Sequence, residues 1–212
     1  MILDCIQEDF GNRDYNSGFL TEIMSTIGSL NHAKENVKQW MKDEKRRSNL
    51  SQPFPIRTLM SLLGSKSWIK YQPLGTVGLI SPWNFPVAIL IGQISAALAC
   101  GNKVIAKPSE HTSILGYLVI KKFHESGVPI SSLELILGDG EYGEMLTQVE
   151  SLQGVAFTGS LPTAKKIQSN LIEYQDQIIH LIAETGGINC MLVDSSALLE
   201  QVTDDVVRSA FD

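Results

Sequence analysis

From residue 76 onward, short and almost continuous apolar runs alternate with longer segments of helical periodicity. The apolar runs have the length of strands, and the segments between them have the length of helices. Strands of this composition, separated by helices, predict an α/β fold with a parallel sheet that is covered on both faces. The predicted strands are residues 76–80, 103–106, 133–137, 154–157, 178–183 and 190–193.

Helical patterns fill the remaining parts of the chain. The predicted helices after the first strand are residues 87–100, 113–125, 143–149, 163–171 and 199–211. Phe19, Ile23, Ile27 and Leu30 recur at helical spacing, so the N-terminal part is also predicted to be helical until a pair of prolines ends the pattern. Residues 68–71 alternate apolar and polar side chains, which predicts an exposed or edge strand.

Composition excludes several classes of protein. Of the 212 residues, 43% are hydrophobic and 19% are charged, and the net charge of −6 argues against a nucleic-acid partner. The longest apolar run, residues 87–100, is too short to span a bilayer, and acidic residues occupy the region where a secretory signal would lie. The three cysteines lack metal-ligand spacing and suit a reducing compartment. A cytoplasmic protein without a bound metal or a membrane span is therefore expected.

Asn84 stands at the turn between the first predicted strand and an apolar helix. It lies in Pro82-Trp83-Asn84-Phe85-Pro86, where two prolines restrict the backbone. A rigidly held amide is a suitable donor where negative charge develops on an oxygen. The alternative is a turn residue that merely caps the helix.

Three further motifs follow in order, each at the end of a predicted strand or in the loop after it. They are Lys107-Pro108-Ser109-Glu110, Phe157-Thr158-Gly159-Ser160 and Glu184-Thr185-Gly186-Gly187. Ligands of parallel α/β sheets bind beyond the carboxyl ends of the strands. With these motifs, the chain from about residue 72 onward resembles the aldehyde dehydrogenase superfamily. The resemblance implies a truncated form of that fold, in which N-terminal helices precede a Rossmann-like parallel sheet with helices on both faces.

A glycine pattern at residues 138–143 imitates a dinucleotide fingerprint. Gly138-Asp139-Gly140-Glu141-Tyr142-Gly143 satisfies G-x-G-x-x-G between a strand and a helix. The acidic residue expected about twenty positions later to hold the ribose is missing, because residues 151–172 contain no Asp or Glu. Asp139 and Glu141 would also repel a pyrophosphate. This stretch is predicted to be a tight loop rather than the pyrophosphate site.

Ser160 marks a better anion site. It precedes a predicted helix, where free N–H groups and the helix dipole favour a phosphate, and Gly159 allows a close approach of the backbone. An ordinary serine N-cap is the alternative. The resemblance implies that Ser160 contacts the pyrophosphate of the cofactor.

Lys107 and Glu110 follow a predicted buried strand and could together hold ribose hydroxyls, although two surface charges are the alternative. The resemblance assigns both to the adenosine ribose. A carboxylate there would repel a 2′-phosphate, so NAD is favoured over NADP. The residues that the resemblance implies for cofactor binding are Ile80, Ser81, Pro82, Trp83, Lys107, Ser109, Glu110, Gly140, Phe157, Thr158, Gly159, Ser160, Thr185 and Gly186.

Asn84 and Glu184 are the implied catalytic residues. In the resembling enzymes a cysteine thiolate attacks the aldehyde, an amide in the position of Asn84 stabilises the oxyanion, and a carboxylate in the position of Glu184 activates the hydrolytic water. Partial burial would tune Glu184 for this role, whereas a glutamate exposed beyond a strand is the alternative.

None of the three cysteines is expected to be the nucleophile, which in that family lies beyond residue 212. Cys5 precedes the domain, Cys100 is predicted to close a buried helix, and Cys190 is predicted to lie in an apolar strand that lowers thiol reactivity. The chain is therefore expected to be the cofactor-binding half of an aldehyde dehydrogenase and to be inactive alone. Its parent is expected to use an aldehyde substrate and to form a homo-oligomer.

Three regions are predicted: an N-terminal helical segment at 1–55, an NAD-binding domain at 56–183 with an edge or oligomerisation strand near 66–72, and the start of the catalytic domain at 184–212. Residues 182–212 resemble the pyrroline-carboxylate dehydrogenase domain of proline utilisation A proteins. The N-terminal part, including Asp9-Phe10-Gly11-Asn12-Arg13, resembles coniferyl and fatty aldehyde dehydrogenases. These branches imply different aldehydes, and a non-catalytic nucleotide-binding or oligomerisation module remains an alternative.

Overall fold

The computed structural model describes residues 2–11, 13–46, 53–64 and 66–211. Most of its strands follow the apolar runs, as expected for segments that are buried between two layers of helices. The strands are β1 (Glu44–Arg46), β2 (Ser67–Ile69), β3 (Thr76–Ile80), β4 (Lys103–Lys107), β5 (Leu133–Leu135), β6 (Leu152–Thr158) and β7 (His180–Glu184).

Five of these strands form a parallel sheet in the order β5-β4-β3-β6-β7. The chain starts at the central β3, builds one side through β4 and β5, and then crosses over to β6 and β7. The order therefore reverses between β3 and β6, which is where ligands of doubly wound sheets bind. The predicted α/β fold is confirmed.

Helices cover both faces of the sheet. They are α1 (Ile2–Phe10), α2 (Tyr15–Gly18), α3 (Ser25–Trp40), α4 (Phe54–Leu62), α5 (Ala88–Ala99), α6 (Ser113–Glu125), α7 (Gly140–Thr147), α8 (Leu161–Tyr174) and α9 (Leu199–Phe211), with a π-helix at Phe19–Met24 and 3₁₀ turns at Glu110–Thr112 and Ile130–Ser132. Within the described ranges, none of the helices has the length and hydropathy needed to cross a bilayer.

Two clusters of buried side chains form the core. The larger one joins β3 and β4 to α5 and α6 through residues such as Leu79, Leu90 and Leu115, and it also includes Ile6 of α1. The smaller one joins β6 to α8 through residues such as Phe157 and Ile167. The N-terminal helix α1 thus contributes to the same core as the sheet.

The predicted strand at residues 190–193 is wrong, because these residues are exposed and have no regular structure. An apolar run becomes a strand only where a neighbouring strand satisfies its backbone hydrogen bonds. In the described part of the chain, β7 pairs with β6 alone, and residues 190–193 do not add to it. The prediction was based on the apolar side chains alone, which carry no information on which strands pair.

The predicted exposed strand near residue 68 is present as β2, with a partner that the pattern did not reveal. β2 pairs antiparallel with β1, and the phenol of Tyr71 donates a hydrogen bond of 2.8 Å to Oε1 of Glu44. Trp68 and Ile69 remain exposed on this small sheet. Because β1 consists of Glu-Lys-Arg, it carries none of the alternation by which β2 was recognised.

Candidate functional site

A cavity of about 310 Å³ opens beyond the carboxyl ends of β3, β4 and β6. Most of the residues that the sequence assigned to a cofactor line it, namely Ile80, Ser81, Pro82, Trp83, Lys107, Ser109, Glu110, Gly140, Phe157, Thr158, Gly159 and Ser160. Asn84, Glu184, Thr185 and Gly186 are not among its lining residues. The fold therefore brings three of the four motifs into one concave site, with Glu184 at its border.

The outer wall of the cavity consists of residues that the sequence analysis missed. They are Gly143, Glu144, Thr163, Lys166, Ile167 and Asn170, from α7 and α8. The Nζ atom of Lys166 lies 2.7 Å from Oε2 of Glu144, which links the two helices. The four residues from α8 recur at spacings of three and four, so a helical projection that marks one face of α8 could have found them.

A polar bridge fixes the loop after β3 relative to the end of β6. The hydroxyl of Ser81 donates to Oε1 of Gln93 at 2.9 Å, and Nε2 of Gln93 donates to Oγ1 of Thr158 at 3.1 Å. Gln93 and Ser95 are the two polar side chains of the mainly apolar helix α5, which is the sequence signal that could have drawn attention to Gln93. The bridge holds two strand ends of the site at a defined separation.

Lys107 is a buried cation at the edge of this cavity. Its residue surface is only 4% exposed, although Glu110 beside it is exposed. Nζ donates to the carbonyl of Pro108 at 3.4 Å and lies 3.9 Å from Oε2 of Glu110. Burial lowers the pKa of Lys107, while Glu110 and Asp139 act in the opposite direction. The alternative that Lys107 is a surface charge is therefore wrong. Because its contacts with Pro108 and Glu110 are long, its ammonium can donate hydrogen bonds to a polar ligand.

Ser160 caps the helix that borders the cavity. Its Oγ accepts a hydrogen bond of 3.3 Å from the N–H of Thr163, so the alternative of a serine N-cap describes its local role. The N–H of Gly159 donates to the carbonyl of Glu184 at 3.0 Å, which joins the end of β6 to the end of β7. A Cβ atom on Gly159 would lie 2.5 Å from the ring of Phe157, so a side chain at this position would require that buried ring to move. A helix N-terminus beside a cavity favours an anionic ligand.

Replacing Ser160 with Ala is expected to lower the free energy of unfolding by about 1 kcal/mol, since the N–H of Thr163 loses its acceptor. Ser169 lies exposed within the same helix, so Ser169→Ala is a matched control that is expected to change stability by less than about 0.5 kcal/mol. Urea unfolding followed by circular dichroism measures both. Equal midpoints for the two variants would contradict the capping role.

The side chain of Asn84 is exposed, and its Oδ1 accepts a hydrogen bond of 3.1 Å from the N–H of Phe85. This contact leaves the Nδ2 group to act as a donor. Asn84 does not cap α5, because the carboxylate of Glu22 accepts from the N–H groups of Val87 and Ala88 at the start of that helix. The capping alternative for Asn84 is therefore wrong. Nothing in the sequence around Glu22 distinguished it from a solvated helix residue.

Glu184 is exposed, so the predicted partial burial is wrong. It is the last residue of β7, and its backbone pairs with Thr158 of β6. β7 is the outermost strand of the sheet in the described residues, which explains why its side chains lack cover. β3 and β7 flank β6 and end at the same edge, about 10 Å apart by the usual strand spacing. That the side chains of Asn84 and Glu184 converge on one ligand stays a prediction.

The cysteines differ from expectation in their exposure. Cys5 is half-buried, whereas Cys100 and Cys190 are both exposed. Cys100 follows the last turn of α5 rather than closing its buried face, and Cys190 lies in the irregular segment described above. None of the three lines the cavity.

The glycine pattern at residues 138–143 is mostly the first turn of α7. Asp139 caps this helix, because its Oδ1 accepts from the N–H of Glu141 at 3.0 Å. Gly138 has φ of +147°, a conformation that L residues with side chains rarely adopt. The prediction of a tight loop holds for Gly138 and Asp139 only. Among the described residues, no group of three or more His, Cys, Asp or Glu side chains could hold a metal ion.

Comparison with known sequences gives a consistent family. A sequence model described as "Aldehyde dehydrogenase family" matches residues 5–212. The bifunctional protein PutA of Salmonella typhimurium is 52% identical over 146 residues, which cover 67% of this chain and 11% of that protein. A coniferyl aldehyde dehydrogenase of Pseudomonas sp. is 31% identical over 210 residues, covering 97% of this chain and 39% of that protein. The chain thus spans well under half the length of these relatives.

Solved structures agree with the sequence comparison. A crystal structure of bifunctional proline utilization A superposes with a TM-score of 0.85 at 36% identity, covering 99% of this chain and 20% of that one. Staphylococcus aureus AldH in a substrate-bound state superposes with a TM-score of 0.81 at 27% identity, covering 99% of this chain and 42% of that one. The similarity extends over nearly the entire chain in both cases.

Proposed function

Because the chain belongs to the aldehyde dehydrogenase family, we propose that it is the nucleotide-binding part of an NAD-dependent enzyme that oxidises an aldehyde to a carboxylic acid. The observation that carries the proposal is the cavity at the carboxyl ends of β3, β4 and β6, lined by three of the four ordered motifs. NAD, when bound, would accept a hydride from the substrate.

The cavity offers distinct groups for the two halves of a dinucleotide. The buried ammonium of Lys107 and the exposed carboxylate of Glu110 would hold the hydroxyls of the adenosine ribose. The N-terminus of α8 at Ser160 would hold the pyrophosphate, because helix dipoles stabilise anions there. Lys107 fits this role, because its ammonium is buried at the cavity edge and its ion pair with Glu110 is long, at 3.9 Å.

Asn84 and Glu184 would perform the chemistry next to the nicotinamide. The Nδ2 group of Asn84 would donate a hydrogen bond to the developing oxyanion, since Oδ1 is already engaged by Phe85. The carboxylate of Glu184 would accept a proton from the hydrolytic water, and its exposure gives water direct access. None of Cys5, Cys100 and Cys190 lines the nucleotide cavity, and none is expected to be the nucleophile, so the chain alone is expected to lack dehydrogenase turnover.

The aldehyde itself would differ between two branches of the family. The higher identity to PutA favours a glutamate-semialdehyde or pyrroline-carboxylate substrate of proline catabolism, whereas the longer match to the coniferyl enzyme favours an aromatic aldehyde. Residues 1–55, 56–183 and 184–212 would form the N-terminal segment, the NAD-binding domain and the start of the catalytic domain. A second candidate is a catalytically inactive module that binds nucleotide or associates through the exposed strand β2.

Cofactor choice tests the proposal. Glu110→Gln is expected to weaken NAD binding about tenfold, because the neutral amide loses one contact with the ribose. It is also expected to reduce the preference for NAD over NADP, because the amide no longer repels a 2′-phosphate. Glu150→Gln, an exposed control outside the cavity, is expected to leave both affinities unchanged. Isothermal titration with NAD and NADP measures them. A wild-type chain that binds neither nucleotide at millimolar concentration would refute the proposed function.

A further inference from the structure

Arg13 lies outside the cavity and links two parts of the chain that are distant in sequence. Its Nη1 donates to Oε1 of Glu22 at 3.0 Å and also to the backbone carbonyl of Asn84 at 2.9 Å. Its Nη2 donates to Oγ1 of Thr21 at 3.3 Å. One guanidinium group therefore joins the N-terminal segment directly to the residue proposed to stabilise the oxyanion.

Glu22 completes the connection on the other side of Asn84. Its residue surface is 0% exposed, and its Oε2 accepts hydrogen bonds from the N–H groups of Val87 at 3.2 Å and Ala88 at 2.8 Å. These N–H groups belong to the start of α5, where a carboxylate is favoured by the helix dipole. The same ion pair thus holds both the loop that contains Asn84 and the helix that follows it.

Aromatic rings enclose the guanidinium. The Cζ atom of Arg13 lies 4.9 Å from the ring centroid of Phe10 and 5.1 Å from that of Phe85, the residue directly after Asn84. Phe10 in turn lies 6.1 Å from the ring of Trp83, the residue directly before Asn84. Contacts of this kind add to the hydrogen bonds, since a partly desolvated cation is attracted to aromatic faces.

We propose that Arg13 and Glu22 are positioning residues that hold the amide of Asn84 in its donor orientation. The inference rests on the proposed function, in which Asn84 is the donor. A preorganised donor must not move when charge develops. Here the carbonyl of Asn84 is held by Arg13, and the start of the helix after it is held by Glu22. The N-terminal segment is then a structural requirement of the catalytic loop, although none of its described residues lines the cavity.

A role of Arg13 and Glu22 in stability alone predicts a different result. Capping of α5 requires Glu22 only, and buried ion pairs can often be replaced by apolar residues without loss of stability. The bond from Arg13 to the carbonyl of Asn84 contributes nothing to that cap. An effect of Arg13 on the side chain of Asn84 therefore separates positioning from general stability.

The test uses the isotopically labelled 212-residue chain and needs no bound ligand. Arg13→Lys keeps the positive charge beside Glu22 but loses the planar guanidinium that serves three acceptors, on Glu22, Asn84 and Thr21. It is expected to shift and broaden the side-chain NH₂ resonances of Asn84 and the amide resonance of Phe85. Glu22→Gln is expected to accelerate hydrogen exchange of the Val87 and Ala88 amides roughly tenfold or more.

Controls distinguish the outcomes. Glu125→Gln removes a carboxylate from an exposed ion pair with Lys122 and is expected to leave the Asn84 resonances unchanged. The amide of Val155 in β6 reports global unfolding, so an equal acceleration of hydrogen exchange at Val155 and Val87 in Glu22→Gln would overturn the proposal. Unchanged Asn84 resonances in Arg13→Lys would also overturn it. If a single variant does not fold, the combined Arg13→Gln and Glu22→Gln variant leaves no unpaired buried charge, and the same displacement of the Asn84 resonances is expected. A failure of the wild-type chain to bind NAD would refute the proposed function without altering these measurements.

Discussion

Replacing Lys107 with Met is expected to weaken NAD binding roughly 10- to 100-fold, because a charged hydrogen bond to the ribose is lost. The same substitution is expected to raise the free energy of unfolding of the unliganded chain by about 1 kcal/mol at neutral pH. The two effects have opposite signs because the ammonium is buried while its ion pair with Glu110 is long, at 3.9 Å. A residue that costs stability and improves ligand binding has a functional reason to be where it is.

The stability effect of Lys107 depends on pH with a defined sign. Burial lowers the pKa of Lys107 below its ordinary value of 10.5, so the unfolded chain binds the proton more tightly than the folded one. The destabilisation is fully present below the lowered pKa and disappears as the pH rises through that pKa towards 10.5. The advantage of Lys107→Met should therefore shrink in alkaline buffer.

Lys103 provides the matched control, since it begins the same strand β4 and lies at the opposite edge of the sheet. Its Nζ forms an exposed ion pair of 2.7 Å with Glu134. Lys103→Met is expected to change stability by less than about 1 kcal/mol and to leave NAD binding unaltered. Calorimetric titration and urea unfolding of both variants supply the comparison. A Lys107→Met chain that binds NAD as tightly as wild type would exclude Lys107 from the site.

Gly116→Ala is expected to destabilise the chain by about 2 kcal/mol, because α6 packs directly onto the loop after β4. A Cβ atom on Gly116 would lie 2.3 Å from Cγ and 2.7 Å from Cβ of Pro108. Both residues are buried, and a proline ring cannot rotate away. Since Pro108 follows Lys107 directly, the displacement should also weaken NAD binding.

Gly28→Ala makes the same chemical change as Gly116→Ala at a position where the added methyl group has free space. Nothing lies within 4 Å of a Cβ on Gly28, which is exposed within α3. Here Ala is expected to raise the free energy of unfolding by about 0.5 to 1 kcal/mol through its higher helix propensity. Thermal unfolding of the two variants should therefore move in opposite directions. A Gly116→Ala chain that is as stable as the wild type would show that Pro108 is not tightly packed against α6.

The sheet could be predicted because its strands are buried on both faces and therefore read as apolar runs. Thr76–Ile80 was predicted with its observed bounds, and the strand at 154–157 differs only in length from β6. Residues 190–193 carry the same apolar signal and form no strand, because pairing depends on neighbours that composition does not specify.

The site residues that follow strand ends could be predicted from the sequence. The site residues that belong to helices could not. The motifs around Lys107 and Ser160 line the cavity as the position of strand ends implies. Lys166 and Asn170 project from one face of α8 and resemble ordinary surface positions in sequence. Arg13 and Glu22 lie more than sixty residues before the groups they contact, so no local pattern could connect them to Asn84.

The most direct test of the account is the binding site of NAD on this chain. Titration of the isotopically labelled chain with NAD is expected to perturb the amide resonances of Lys107, Glu110 and Ser160 together, followed by the side-chain resonance of Asn84. Perturbations confined to surfaces away from the carboxyl ends of β3, β4 and β6, or none at millimolar NAD, would contradict the claim that this edge of the sheet is a dinucleotide site.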